Sequence, residues 1–268
     1  MSGFTSWRDY WNFERAVRRD RRFVRSAGSE AFLEGVRATA AERRVALKKE
    51  SIFWRAQLGH DWRTEKQGDD EFEVPCAHPP ARMKPLRDRA SDGRANPKGI
   101  PCLYMATTKE AAMSEVRPWI GSEISVGQFK LLRTAEIVDC SREHDRMTFH
   151  FEEPSPEKIE KAVWAHIDKA FAEPMTRSDN TADYVATQII AELFKDSGYD
   201  GVAYKSNFGE KGYNIALFDI DAADLINCLL YRVDGIDMSF SQQDNPYFVT
   251  KYLDEKKKRR RKQKPKGK

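Results

Sequence analysis

The chain has 268 residues, enough for one full hydrophobic core and a smaller accessory region. With 40% hydrophobic and 33% charged residues and no apolar run near the ~18 residues of a membrane span, the composition excludes a transmembrane chain. The first residues, MSGFTSWRDYW, lack a signal-peptide core, so a cytoplasmic protein is expected. The net charge of +4 has one source: residues 256–268 carry ten Lys or Arg, and residues 1–255 hold 36 basic against 42 acidic groups, which excludes a fold whose overall field attracts nucleic acid.

Residues 1–50 read as a helical region. Trp7, Tyr10, Trp11, Phe13 and Val17 mark one amphipathic helix, and Phe32, Leu33, Val36, Ala40 and Val45 a second, with a break at Ser26 to Ser29. Ile52-Phe53-Trp54-Arg55-Ala56 then reads as the first strand of the main domain. An arginine inside such a strand must reach solvent, pair with a carboxylate or meet an anionic ligand, because burying it unpaired is too costly. Arg55 and His60 also spell R-x-x-x-x-H, a ribonuclease pattern that needs a helix, whereas Gly59 and the β-favouring Ile52-Phe53-Trp54 oppose one.

From Gly59 to Lys98 the sequence is polar and turn-rich, a long loop that can fold over a ligand, with Met83, Lys84 and Arg87 as candidate phosphate neighbours. Cys76 and His78 lack further ligands at zinc spacing, and the four scattered cysteines are expected to be reduced. The chain is organised around Ser91 to Trp119, a turn, a strand and a helix. Gly93, Asn96, Pro97 and Gly99 are turn chemistry and put Arg94 on a loop. Ile100 to Ala106 has a strand's composition, with Cys102, Tyr104 and Ala106 on one face and Leu103 and Met105 on the other. Thr107 and Glu110 have capping-box spacing, Pro118 can close the helix, and Glu115 rises from the small side chains of Ala111 and Ala112.

Glu123 to Leu132 and Thr134 to Cys140 read as two strands. Ser155-Pro156 opens a helix with the stripe Ile159, Val163, Ile167 and Phe171, and Asp179 to Asp196 is another, containing Tyr184 and Gln188 and ended by Gly198. Val202 to Lys205 is a strand carrying Tyr204, followed by Ser206; Tyr213 to Asp219 alternates and carries Asn214; Leu225 to Val233 is a further strand. The basic run at the end is expected to be disordered by its own repulsion and to offer nucleic acid a nonspecific contact.

In order, Arg55 in an aromatic-Arg-Ala context, Gly93-Arg94, Tyr104, Glu115 and Tyr204-Lys205-Ser206 resemble the signature of the RES-domain family, over roughly Ser51 to Val233. That family is known for toxins of bacterial toxin–antitoxin pairs that consume NAD+. The resemblance implies an α+β fold, an ADP-ribosyltransferase-like mixed α/β core with two small sheets around a cleft. It divides the chain into an N-terminal helical region, 1–50, a catalytic domain, 51–235, and a C-terminal segment, 236–268. The implied reaction cleaves the nicotinamide–ribose bond of NAD+, as a phosphorylase with inorganic phosphate as co-substrate or as a glycohydrolase with water. No metal and no cofactor beyond the NAD+ substrate is implied.

Carried over residue by residue, the family roles make Glu115 the carboxylate facing the developing positive charge on the ribose, with Arg55 and Ser206 beside it as catalytic residues. Arg94, Tyr104, Tyr204 and Asn214 form the implied NAD+-binding set. Arginines suit a pyrophosphate, and Tyr104 suits stacking on nicotinamide or holding a ribose hydroxyl. Ala95 stands where many relatives carry an aromatic residue after the Gly-Arg pair. An antitoxin protein is the implied partner. Two other classes compete: an ADP-ribosyltransferase that modifies a macromolecule, with Gly59 to Lys98 as its acceptor loop, and an RNA-binding protein or ribonuclease using the tail or Arg55 with His60.

Overall fold

The computed structural model describes residues 3–144, 149–173, 181–208, 212–241 and 252–258. The chain forms two compact units, Met1–Asp234 and Gly235–Lys268. In the second, residues 252–258 are helical; residues 259–268 of the expected disordered tail lie outside the described residues, as does Asp179. Among the described residues, no helix is long and apolar enough to cross a membrane.

Two helices open the first unit, α1 (Asp9–Arg19) and α2 (Ala27–Ala40). The break between them has a local cause: Ser26 is extended and its hydroxyl accepts the Ser29 amide at 3.2 Å, capping α2. Val45, expected on the stripe of α2, instead lies in strand β1 (Arg44–Leu47), so residues 44–47 join the sheet of the main fold. A β-branched residue five positions beyond Ala40 falls off the helical stripe and fits a pleated edge.

The strands β2 (Ile52–Leu58), β5 (Leu103–Ala106), β6 (Glu123–Leu131), β7 (Ala135–Asp139), β8 (Gly201–Lys205), β9 (Tyr213–Leu217) and β10 (Ala223–Arg232) complete one eight-stranded sheet in the order β1-β7-β8-β9-β5-β2-β6-β10. The stretch expected as a long loop contains a two-stranded sheet of its own, β3 (Asp61–Gln67) with β4 (Asp70–Cys76), turned at Gly68, and a short helix α3 (Pro80–Met83). The fold is thus mixed α/β with a large sheet and a small one.

The large sheet is tightly laced except at its middle. β2 pairs with β6 over seven residues and β5 with β9 over four, but β2 and β5 share only Trp54↔Ala106. The two halves diverge there. Phe53, Phe129 and Leu131 from one half pack with Ile137, Ala203, Ile215 and Leu217 from the other to make a core inside the fold of the sheet. A second core lies under the helices, where α1, α2, α5 (Pro156–Ala172) and α6 (Val185–Asp196) cover the outer face of β7, β8 and β9 through Phe13, Val36, Trp164, Ile167 and Phe194. The expected stripe of α5, Ile159, Val163, Ile167 and Phe171, is buried.

Candidate functional site

The helix α4 (Lys109–Glu115) carries the candidate carboxylate. Its cap is Thr108 rather than Thr107: Thr108 is extended at φ −125° and its hydroxyl accepts the Ala111 amide at 3.2 Å, while Thr107 Oγ accepts from the Tyr213 amide at 3.0 Å. The capping role moved one residue because Thr107 is bound to β9. Ala111 and Ala112 pack with Ala56, Ala106, Ile124 and Val126, so small side chains let α4 lie close on the sheet. Helix α4 ends at Glu115, short of Pro118, with Arg117 at φ 47°.

A carboxylate at a helix C-terminus faces the negative end of the dipole and needs donors to hold it. They come from β8 and β9, whose pairing sets Tyr204 opposite Asn214. Asn214 Nδ2 donates to Glu115 Oε1 at 2.6 Å and Ser206 Oγ donates to the same oxygen at 3.0 Å. Both donors are buried, Ser206 at 3% and Asn214 at 6% exposure, which fixes Oε1 and leaves Oε2 without a partner among the described residues.

Arg55, Arg94, Tyr104, Glu115, Tyr204 and Asn214 line one cleft of about 600 Å³, within the size range of small-molecule sites. Ser206, buried at 3% exposure, reaches the site through its bond to Glu115. Arg55 is half-buried on β2 and donates from Nε to the Met83 carbonyl and from Nη1 to the Tyr104 carbonyl, both at 2.8 Å. It has no carboxylate partner among the described residues, and burial pushes its guanidinium down to about 10. Two main-chain carbonyls take its donors in place of a carboxylate, and it lines the cleft.

Arg94 is more committed. Its Nη1 donates to the Ala170 carbonyl at 3.2 Å and its Nη2 to the Glu173 carbonyl, so it covers the orphan carbonyls that end α5, with its guanidinium 6.0 Å from the Tyr184 ring. Asn207 Nδ2 takes the Ala172 carbonyl at 2.6 Å. Tyr104 differs from expectation: its hydroxyl donates to Asn96 Oδ1 at 2.7 Å and accepts the Ala95 amide at 2.9 Å, so its polar tip is already bonded to protein. Tyr204 is 4% exposed and packs its ring 5.6 Å from Phe171. Burial pushes both phenols up, which keeps them neutral donors.

The other candidates of this region are placed by their partners. Met83 is fully buried, Lys84 Nζ pairs with Asp224 on β10 at 2.6 Å, and Arg87 pairs with Asp221 just before β10, so the two cations are paired at the start of that strand and line no part of the cleft. His60 pairs with Glu123 while Arg55 turns to Met83 and Tyr104, and both follow from a strand and a turn rather than a helix, so R-x-x-x-x-H has no convergent geometry. Cys76 and His78 belong to no group of three metal-binding side chains among the described residues.

Sequence reasoning passed over Asn96 and Gln188. Asn96, read as turn chemistry, is 4% exposed; Gln188, read as a core wall, is 9% exposed and donates to the Gly93 and Asn96 carbonyls, each at 3.0 Å. The available signal was an amide set among the apolar residues of α6, which must find partners if buried.

Residues 52–240 match a family described as RES domain. No curated protein matches the chain. Among solved structures, the crystal structure of the M. tuberculosis MbcT–MbcA toxin–antitoxin complex matches at 12% identity with a TM-score of 0.42, over 74% of this chain and 93% of that one.

Proposed function

Because the chain belongs to the RES-domain family over residues 52–240, we propose that it is an NAD+-degrading enzyme that acts as a toxin, with an antitoxin protein as partner. The observation that carries this reading is one cleft that holds a doubly anchored carboxylate, Glu115, together with Arg55, a half-buried cation lacking an acidic partner among the described residues. A site for NAD+ needs an anion facing the ribose and a cation facing the pyrophosphate.

In the proposed reaction the bond between ribose C1 and the nicotinamide nitrogen breaks with both electrons leaving on neutral nicotinamide. Positive charge grows on C1 and the ring oxygen, and the carboxylate of Glu115 stabilises it more in the transition state than in the ground state. Asn214 and Ser206 hold that carboxylate, which removes the need to orient it during the reaction. Arg55 takes a phosphate oxygen, and Arg94, Tyr104, Tyr204 and Asn214 complete the binding wall. An oxygen of inorganic phosphate then bonds to C1, giving ADP-ribose 1-phosphate; water in its place gives ADP-ribose and a proton.

The test is an NMR time course of the purified protein with NAD+, with and without phosphate, beside Glu115→Ala. Nicotinamide release that depends on Glu115 is the expected result, and a phosphate-dependent second product assigns the phosphorylase. Intact NAD+ under both conditions defeats the reading and turns the search to a macromolecular acceptor.

A further inference from the structure

The turn that carries Arg94 is held by more buried polar bonds than a surface turn needs. Gly93 and Asn96 pair through their own backbones, the Gly93 amide donating to the Asn96 carbonyl at 2.9 Å. Gln188 Nε2, from α6, donates to the carbonyls of both. The Asn96 side chain, inside the turn, donates to the carbonyls of Ser91, Pro97 and Ile100 at 3.0, 3.1 and 2.7 Å and accepts from Tyr104 Oη. Tyr104 closes the circuit by accepting the Ala95 amide. A side chain at Gly93 has no room: its Cβ would stand 2.6 Å from Asn96 Oδ1 and closer still to Tyr104 Oη.

Between Gly93 and Asn96, Ala95 packs inward at 5% exposure and the Asn96 side chain is consumed by the network, so Arg94 is the cation this turn brings to the cleft, beside Asp92, which lines it too. Buried polar networks that are fully satisfied specify a single conformation. We infer that Tyr104, Asn96 and Gln188 form a latch that preorganises the turn and so positions Arg94 for an anionic ligand, with the Tyr104 hydroxyl acting through Arg94 and not on the ligand. The inference rests on the NAD+ reading for its ligand, and Gln188 and Asn96 enter as positioning residues.

The experiment uses the full chain carrying Glu115→Gln, so that turnover is slowed at least about a hundredfold, and titrates NAD+ calorimetrically. Tyr104→Phe and Gln188→Leu are each expected to weaken binding about tenfold, the worth of a good hydrogen bond. Placed on Arg94→Ala, neither should weaken it further, because coupled residues are non-additive. Losses that multiply overturn the latch, since Tyr104 then acts on the ligand directly. Amide hydrogen exchange supplies a readout free of the ligand: the Ala95 and Asn96 amides are expected to exchange at least tenfold faster in Tyr104→Phe while amides of β6 keep their rates. Unchanged exchange at Ala95 also overturns the latch. If the parent protein binds no NAD+, the functional reading fails, and exchange alone decides whether the latch exists.

Discussion

Arg55 on β2 donates from Nη1 to the main-chain carbonyl of Tyr104 on β5 at 2.8 Å, at the place where these two strands share a single register pair. The guanidinium therefore stands in for the ladder bonds that the diverging strands do not make, and it does so beside the cleft. A cation in that position bridges the split in the sheet and has no carboxylate partner among the described residues.

The first prediction concerns an anion at Arg55. Burial makes Arg55 hold its proton less tightly in the fold, at about 10, than in the unfolded chain, so its charged form costs stability at every pH below about 10. Inorganic pyrophosphate at about 100 times its Kd is expected to return ~2.7 kcal/mol, a rise of roughly 5–10 °C in melting temperature. Arg55→Gln should lose the pyrophosphate shift. A shift retained in the variant assigns the anion to another residue.

Glu115→Gln is expected to slow nicotinamide release about 10²–10³-fold, the cost of removing one preorganised electrostatic group. Its melting temperature should stay near that of the wild type, because Glu115 is exposed at a helix end. Asn214→Ala and Ser206→Ala should each slow release about tenfold through a looser carboxylate. Time courses by NMR together with thermal melts separate the two effects.

Gly93→Ala tests the close approach of the turn to Tyr104. The added methyl meets Asn96 Oδ1 and Tyr104 Oη, so the turn must shift, at a cost of about 1–3 kcal/mol. NAD+ binding is expected to fall in parallel with Arg94→Ala. Denaturant midpoints and calorimetry check both; a variant as stable as the wild type contradicts the packing described.

A buried carboxyl away from the cleft makes a pH prediction. Asp168 on α5 is fully buried, bonded to His144 and, at 3.4 Å, to the Lys205 amide; burial pushes its carboxyl above the usual 3.8, and His144 pulls it partly back. A raised folded pKa favours the protonated form, so its contribution is full below about 3.8 and is lost as pH rises through the raised value. The stability of wild type relative to Asp168→Asn should therefore decline as pH climbs from 4 towards neutrality. A difference that grows with pH, followed by thermal melts across that range, reverses the assignment.

Much of the local structure was legible because its causes are local. The extended run before Arg55, the alternation around Tyr104, the helix start at Pro156, where Ser155 takes the cap position without a side-chain capping bond, and the left-handed Gly198 read directly, since pleat, helical period and turn chemistry act within a few residues. Two local readings slipped where a distant partner intervened: Thr107 was drawn to β9, leaving the cap to Thr108, and Val45 was drawn to the sheet edge beside β7.

By itself the sequence determined most helices and strands of the main fold, though not β1 or the β3–β4 sheet and α3, together with the signature that joins this chain to its family and the seven residues around which a site was expected. Six of them line one cleft and the seventh, Ser206, donates to Glu115. Only the tertiary structure decided what each side chain does there. Ser206 and Asn214 meet Glu115 across 91 and 99 residues of chain, Gln188 reaches the Arg94 turn across 95, and Arg55 finds carbonyls in place of a carboxylate. Periodicity and capping act over a few residues, whereas partners for buried charges and hydroxyls are chosen by whichever strands and helices come to lie against them, and no local rule contains that choice.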